Sequence, residues 1–389
     1  MKKALFTVLA SATLFACQTP NVGNPDSDTT TVALTIQKSM MTRSTLGGAI
    51  SAGAVTAIEN GTLYFFDVTG VFTDSHTLSE AEIDEAGIDN PEGGDPDEAA
   101  DKILIQNVPT TSASVVMLAN YDGEAPAFAD LEAFADYELD IEDQSTMAGG
   151  AANAAVQGIA LIDLSLGAGN ALTPPTDNIR NANITLAPAV ARIEIGNGAI
   201  KLADQSANNT TYRLESFDFS GIYVNHFYET YTLGGTTGTS LGQGDVTETD
   251  NLWLPKYLAA VPATLANLLY NEPTATTVVE GTAYPTGFAF HVFPGSVPHL
   301  VLRVSDLEYE DGTTTDAGDN YYWIIDEFIN SDTDTTIANL ERGHVYKIQS
   351  VELGKTIPRP DDPYDDKISV NVYVTVQAWD VVTVEVEPK

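Results

Sequence analysis

From Ile368 to Gln377 the chain alternates without a break, with Ile368, Val370, Val372, Val374 and Val376 separated by Ser369, Asn371, Tyr373, Thr375 and Gln377. A period of two gathers every apolar residue on one face of an extended strand and scatters them around a helix, so this segment is a β-strand with one buried face. Ala378-Trp379-Asp380 interrupts the pattern, and Val382, Val384 and Val386 then alternate with Thr383, Glu385 and Glu387 in a second amphipathic strand at the end of the sequence. A terminal strand of this kind detaches at low cost. The same signature stands near the other end, where Val32, Leu34 and Ile36 share one face of residues 31–36. Strand character recurs at 61–69, through Leu63, Phe65 and Val68, and at 103–106, 114–120, 156–166, 184–186, 190–195, 212–219, 222–225, 287–293, 300–307, 321–325 and 345–353. Residues 127–135, after Pro126, fit a short helix, and the acidic stretch 77–102 reads as a solvated loop or a short helix. With 30 Gly and 19 Pro punctuating these runs, the expected architecture is an all-β antiparallel sandwich.

A chain of 389 residues is long for one hydrophobic core. The pattern changes near Ile184, and we place a domain boundary there, giving one sandwich over 44–187 and another over 188–389. No fixed-period repeat is present. The first of these domains is preceded by a Gly, Ser and Ala-rich segment, 44–53, which reads as an accessible loop and makes the 31–36 strand separable from the rest.

Lys and Arg total 17 against 55 Asp and Glu, a net charge of −38. Affinity for nucleic acid depends on cations that displace phosphate counterions, so nucleic acid is excluded as a partner. The single cysteine rules out an intramolecular disulfide and any Cys-based zinc site. Lys2 and Lys3 form a basic leader, 4–13 is mostly apolar, and Leu14-Phe15-Ala16-Cys17 follows, a pattern of export rather than of a membrane span. Leu-x-Ala-Cys resembles a bacterial lipobox, in which Cys17 is acylated and becomes the mature N-terminus. The bare segment also fits an ordinary secretory signal with an incidental cysteine. Residues 18–30 are rich in Pro, Asn, Asp and Thr, as a tether would be.

Catalytic and metal-binding patterns are weak. Gly238-Thr239-Ser240-Leu241-Gly242 matches a nucleophile elbow in letters, yet it lies in a Gly/Thr loop with no helical pattern after it. The histidines, His76, His226, His291, His299 and His344, include no pair four apart and read as surface or turn residues. Asp332-Thr333-Asp334 and the Asp361-Asp362, Asp365-Asp366 run could offer oxygen ligands to calcium, but they lack the twelve-residue loop pattern, and solvated acidic loops are the simpler reading. Trp253, Trp323 and Trp379 could line a sugar platform, which would suit a monomeric, uncut, glycan-binding surface lipoprotein; core packing is the alternative, with Trp379 pinning the hinge between the two terminal strands. No enzyme activity and no cofactor is expected.

Taken in order, these parts resemble the fimbrillin family, the type V pilins of Bacteroidetes. The resemblance rests on the lipobox at Cys17, the Val32–Ile36 strand followed by Thr42-Arg43, and Ser114-Val115-Val116-Met117-Leu118-Ala119-Asn120. It rests further on Val190-Ala191-Arg192-Ile193-Glu194-Ile195, on Glu341-Arg342-Gly343-His344-Val345-Tyr346-Lys347-Ile348, and on 374–384 around Trp379. It implies two transthyretin-like antiparallel β-sandwich domains in tandem, behind a lipoprotein signal (1–17) and a tether with a removable first strand (18–43). It also implies a precursor held at the outer membrane by its lipid, cut by an arginine-specific surface protease between Arg43 and Ser44, and then built into extracellular fimbriae. Loss of Val32, Leu34 and Ile36 would open a groove, and the C-terminal Val382, Val384 and Val386 of a neighbour would fill it as the donor strand. The implied partners are other copies and related pilins, the processing protease, the lipoprotein-processing machinery and host or bacterial surface ligands. The C-terminal alternation favours a stalk subunit, with a tip subunit as the other option.

Overall fold

The computed structural model describes residues 28–38, 60–85, 103–121, 124–140, 145–148, 151–154, 156–163, 179–204, 213–238, 240–241, 270–271, 273–354, 359–360 and 369–378. Strands dominate these residues, and the two helices, α1 (Glu80–Glu85) and α2 (Leu131–Ala135), are short. The chain is all-β. Cys17, Arg43, Ser44, Trp253, Trp379, Val382, Val384 and Val386 lie outside the described residues.

The first half builds a seven-stranded sheet. Its early members are β1 (Thr29–Lys38), β2 (Gly61–Asp67), β3 (Phe72–Thr77), β4 (Ile103–Pro109) and β5 (Ser112–Ala119). The order across the sheet is β3, β2, β5, Val156–Asp163, Ile179–Pro188, β1, β4. Ile179–Pro188 serves two ladders in turn: residues 179–186 run parallel to β1, and Ala187 and Pro188 pair antiparallel with Gln157 and Val156. β2 and β5 are buried on both faces. Leu63, Phe65, Val115 and Met117 pack with the apolar residues of β1 and β4 in one cluster. Tyr64, Phe66, Val116 and Leu118 instead join Phe134 of α2 in a second cluster, which continues into the other half of the chain. The expected strand 61–69 therefore stops at Asp67. The Asp67 Oδ1 accepts from the Thr69 and Val71 N–H groups (2.8 and 3.0 Å) and closes a turn that leaves Val68 exposed. The helix predicted at 127–135 begins later, because Asp130 caps it by accepting from the Ala133 N–H at 2.7 Å.

The second half builds an eleven-stranded sheet. Its path runs Tyr270–Asn271, Leu214–Asn225, His299–Tyr309, Tyr321–Asn330, Ser369–Ala378, His344–Ile348, Ala191–Ile195, Phe288–Val292. Ser369–Ala378, the strand with the clearest alternation, is interior: it runs parallel to Tyr321–Asn330 and antiparallel to His344–Ile348, with Val372 and Val374 buried and Tyr373 exposed. Residues 214–225 form one strand where two were expected. The expected 345–353 strand divides into His344–Ile348 and Val351–Leu353, because its parallel partner divides with it. Ala191–Ile195 ends at Gly196, Gly198 turns with φ 71°, and pairing resumes between Ile200–Leu202 and Val351–Leu353. Among the described residues most ladders are antiparallel, as expected of the sandwich, and four are parallel. The halves also share a ladder, Glu138–Asp140 with Thr230–Thr232.

Two expectations need correction, and the choice left open for Trp323 is decided. His291 is a fully buried residue, not a surface one: it lies opposite Arg192 in the antiparallel ladder, and its Nε2 is 3.0 Å from the Arg192 Nη1. Arginine can only donate, so Nε2 is the acceptor and the neutral ring carries its proton on Nδ1. Trp323 is fully buried edge-to-face against Phe217 (5.4 Å between centroids), so it belongs to the core and not to a sugar platform. Ser240, expected in a Gly/Thr loop, lies in a two-residue strand paired with Phe227–Tyr228. Among the described residues no group of three or more His, Cys, Asp or Glu is arranged to hold a metal ion.

Burial, and then the neighbouring Arg192 cation, hold the His291 ring well below its ordinary pKa. The folded chain keeps the ring neutral while the unfolded chain takes up a proton near pH 6.5, so this contribution to stability is complete above about 6.5 and declines as the pH falls. For one group the decline reaches about 1.4 kcal/mol per pH unit. Replacing His291→Gln is expected to flatten the urea-unfolding midpoint between pH 7 and 5.5 relative to the unsubstituted chain. An unchanged slope would show that another group sets it.

Candidate functional site

β1 is the sixth strand along the seven-strand path, with Ile179–Pro188 on one side and the edge strand β4 on the other. Its sequence, TTTVALTIQK, is mostly β-branched or apolar, which suits a strand closed in on both edges. Val32 stands opposite Arg180 and Ile105, Leu34 opposite Ala182 and Ile103, and Ile36 opposite Ile184. All three point into the core against Leu63, Phe65 and Met117, with exposures of 1%, 1% and 4%. Burying each such side chain contributes about 1.5–3 kcal/mol. The structure thus places the three predicted first-strand residues together, in consecutive pockets of one wall.

The entry end of the strand is fixed by polar contacts. Between Thr30 and Val32 the β4 register slips, and Asn107 takes φ 63° there, the mark of a bulge. The Thr110 N–H, in the β4–β5 turn, donates to the Asp28 carbonyl (2.9 Å) just ahead of β1. Arg180 reaches the same turn and donates to the carbonyls of Ser112 (2.6 Å) and Thr110 (2.8 Å). Burial lowers the pKa of its guanidinium, which still remains a cation. Ser112 in turn shares a hydrogen bond with Thr73 of β3 (2.7 Å between hydroxyl oxygens). Sequence reasoning missed Arg180, since its strand was expected to start only at Ile184. The signal was a lone cation heading the apolar alternation Arg180, Ala182, Ile184.

A second polar cluster lies in the other sheet, on the family-like segments 190–195 and 341–348. The Arg192 Nε donates to the Glu194 carboxylate at 2.7 Å, and Lys347 is the register partner of Glu194. The three side chains are buried, with exposures of 2%, 8% and 3% for Arg192, Glu194 and Lys347. Burial lowers the Lys347 pKa, and Arg192 lowers it further against the opposing pull of Glu194. Nearby, the Glu341 N–H donates to the Tyr346 hydroxyl (2.7 Å), and Gly343, at φ 67°, donates to the Val190 carbonyl.

No protein-family model and no curated protein matches this sequence. Solved structures do. A fimbrilin from Porphyromonas gingivalis W83 superposes with a TM-score of 0.52 at 15% identity, covering 91% of this chain and 99% of that one. A candidate cell-adhesion protein from Parabacteroides distasonis gives 0.52 at 15% identity over 90% and 100% of the two chains. Another from Bacteroides eggerthii gives 0.51 at 12% identity over 90% and 95%. At these identities the likeness concerns architecture, and it extends over nearly the whole of each chain: the protein has the fimbrillin-family fold.

Proposed function

We propose that the chain is a fimbrial stalk subunit with a structural and not a catalytic role. It is exported, acylated on Cys17, cut between Arg43 and Ser44 by an arginine-specific surface protease, and polymerised at the cell surface by strand replacement. Cleavage frees the segment carrying Val32, Leu34 and Ile36, and Val382, Val384 and Val386 of another copy enter the vacated slot. The observation that carries this reading is the position of β1. The first described strand of the chain is paired on both of its edges, so its loss leaves two unpaired edges and vacates the apolar positions of Val32, Leu34 and Ile36. Such edges recruit a strand. Donor and slot lie in different parts of the subunit, so each contact is heterologous and propagates a filament. Loss of the signal and then of the segment up to Arg43 removes four basic and two acidic residues in all and takes the net charge from −38 to −40. Subunits therefore repel one another in dilute buffer, and filament growth gains from salt.

Trace trypsin on the mature chain is expected to expose Ser44 as the new N-terminus and to yield ladders of rising mass. A chain truncated after Asp380 is expected to be cut but to remain monomeric. If Arg43 resists cleavage and both chains stay monomeric, the polymer reading is overturned in favour of a monomeric glycan-binding surface lipoprotein. Assembly of the truncated chain would point instead to a different donor segment.

A further inference from the structure

We infer that Arg180 is a positioning residue that holds the slot in strand-accepting shape while β1 is absent, an inference that rests on the strand-replacement reading above. Among the described strands, the only ladder partner of β4 is β1. Once β1 leaves, β4 loses every one of those pairings and is retained by its turn into β5 and by Ile103, Ile105 and Val108 in the core. The two rails of the slot would then be free to drift apart or collapse together. One side chain spans them without using β1: Arg180, at the start of Ile179–Pro188, grips the β4–β5 turn through two carbonyls.

The chemistry suits that task. A guanidinium is a rigid planar fork, so two bonds to carbonyls flanking Thr111 fix both distance and orientation, which a single flexible ammonium cannot do. The turn it grips is also the one whose Thr110 N–H receives the residue ahead of β1. Arg180 therefore aims the first hydrogen-bond donor that an incoming strand meets. The Ser112 to Thr73 contact extends the brace to β3, in the part of the sheet that β1 does not touch.

Neither bond uses an atom of β1, and in the filled slot the β1 ladders hold the same two rails, so loss of Arg180 is expected to lower the fraction of open slots able to accept a strand and to change the filled state less. A binding-competent fraction reduced tenfold weakens apparent affinity tenfold, and the effect falls on the association rate. Strand release, which starts from the filled state, changes little.

The test uses the full chain cut after Arg43, with the cut verified by mass, and the severed first segment dissociated in mild urea and removed by size exclusion. Uptake and release of a fluorescent peptide of residues 28–38 are then followed by anisotropy. Association is expected to be about tenfold slower for Arg180→Gln and intermediate for Arg180→Lys, which keeps one of the two bonds, with release within about twofold of the unsubstituted chain. Equal association rates in all three chains overturn the inference while leaving strand replacement intact. Faster release with unchanged association also overturns it, since that pattern belongs to a residue that only stabilises the filled sandwich. If the unsubstituted chain neither sheds its first strand nor takes up the peptide, strand replacement itself fails and the inference falls with it. Should Arg180→Gln not fold, the Arg180→Lys comparison carries the same readout.

Discussion

Replacing Leu34→Asp is expected to unfold the first half of the uncut chain at room temperature. Leu34 is buried in the middle of the β1 wall, between Val32 and Ile36 and opposite Ile103 and Ala182. Truncating a leucine in such a place costs about 2–5 kcal/mol from lost transfer energy and the cavity left behind. A carboxylate adds the penalty of a buried charge, several kcal/mol more unless the group takes up a proton. The sum is comparable to the whole stability of a typical domain. Leu104, one residue along β4 from Ile103, points the other way and is 46% exposed, so Leu104→Asp is the matched control and is expected to change stability by no more than about 0.5 kcal/mol. Urea unfolding followed by tyrosine fluorescence checks the pair. Similar midpoints for the two variants would mean that β1 does not close this core. The Leu34 variant has a further use. In a filament formed by strand replacement residue 34 has already departed, so the same substitution is then expected to be silent.

Glu194→Gln is expected to cost about 3–5 kcal/mol, although it alters neither size nor shape. The glutamate is the acceptor for the Arg192 Nε and the charge facing Lys347. Neutralising it leaves two cations in the same buried cluster with less to offset them. It also removes the influence that raises the Lys347 pKa, so that group sinks further below its ordinary value. The sign of the pH dependence follows. A folded lysine with a depressed pKa releases its proton before the unfolded one does, so the unfolded chain holds more protons up to about pH 10.4 and stability rises with pH across that window. The variant is therefore expected to regain part of its loss between pH 7 and pH 9.5, whereas the parent chain changes less. Urea midpoints at the two pH values measure this. A variant equally weak at both would locate the damage in the NH2 donor that replaces a carboxylate oxygen and not in the charge balance.

These two sites differ in how openly the sequence announces them. Val32, Leu34 and Ile36 were legible because β1 keeps polar or small residues between its apolar ones, and the same holds for Ser369–Ala378. β2 was harder, since residues 61–66 are all buried and a strand with two covered faces has no alternation to display. The parallel ladders were out of reach for a different reason. Their pairings join residues such as Ile36 and Ile184, and nothing local marks which distant strand a given strand will choose. Arg192, Glu194 and Lys347 occupy the alternate positions that in an ordinary strand meet water, and here that face is covered. The pattern of the residues was visible, while their environment depended on the assembled sheet.

The direction of β1 has a mechanical consequence. Its ladder with Ile179–Pro188 runs through eight successive residue pairs, Thr31 to Lys38 against Ile179 to Leu186, and the two strands point the same way. A pull along the axis of whatever strand lies in that slot loads the rungs together in shear. A pull across the axis peels them one at a time. The joint is therefore strong along its length and weak at its edge: it resists tension along the strand and yields first to a sideways tug at one end.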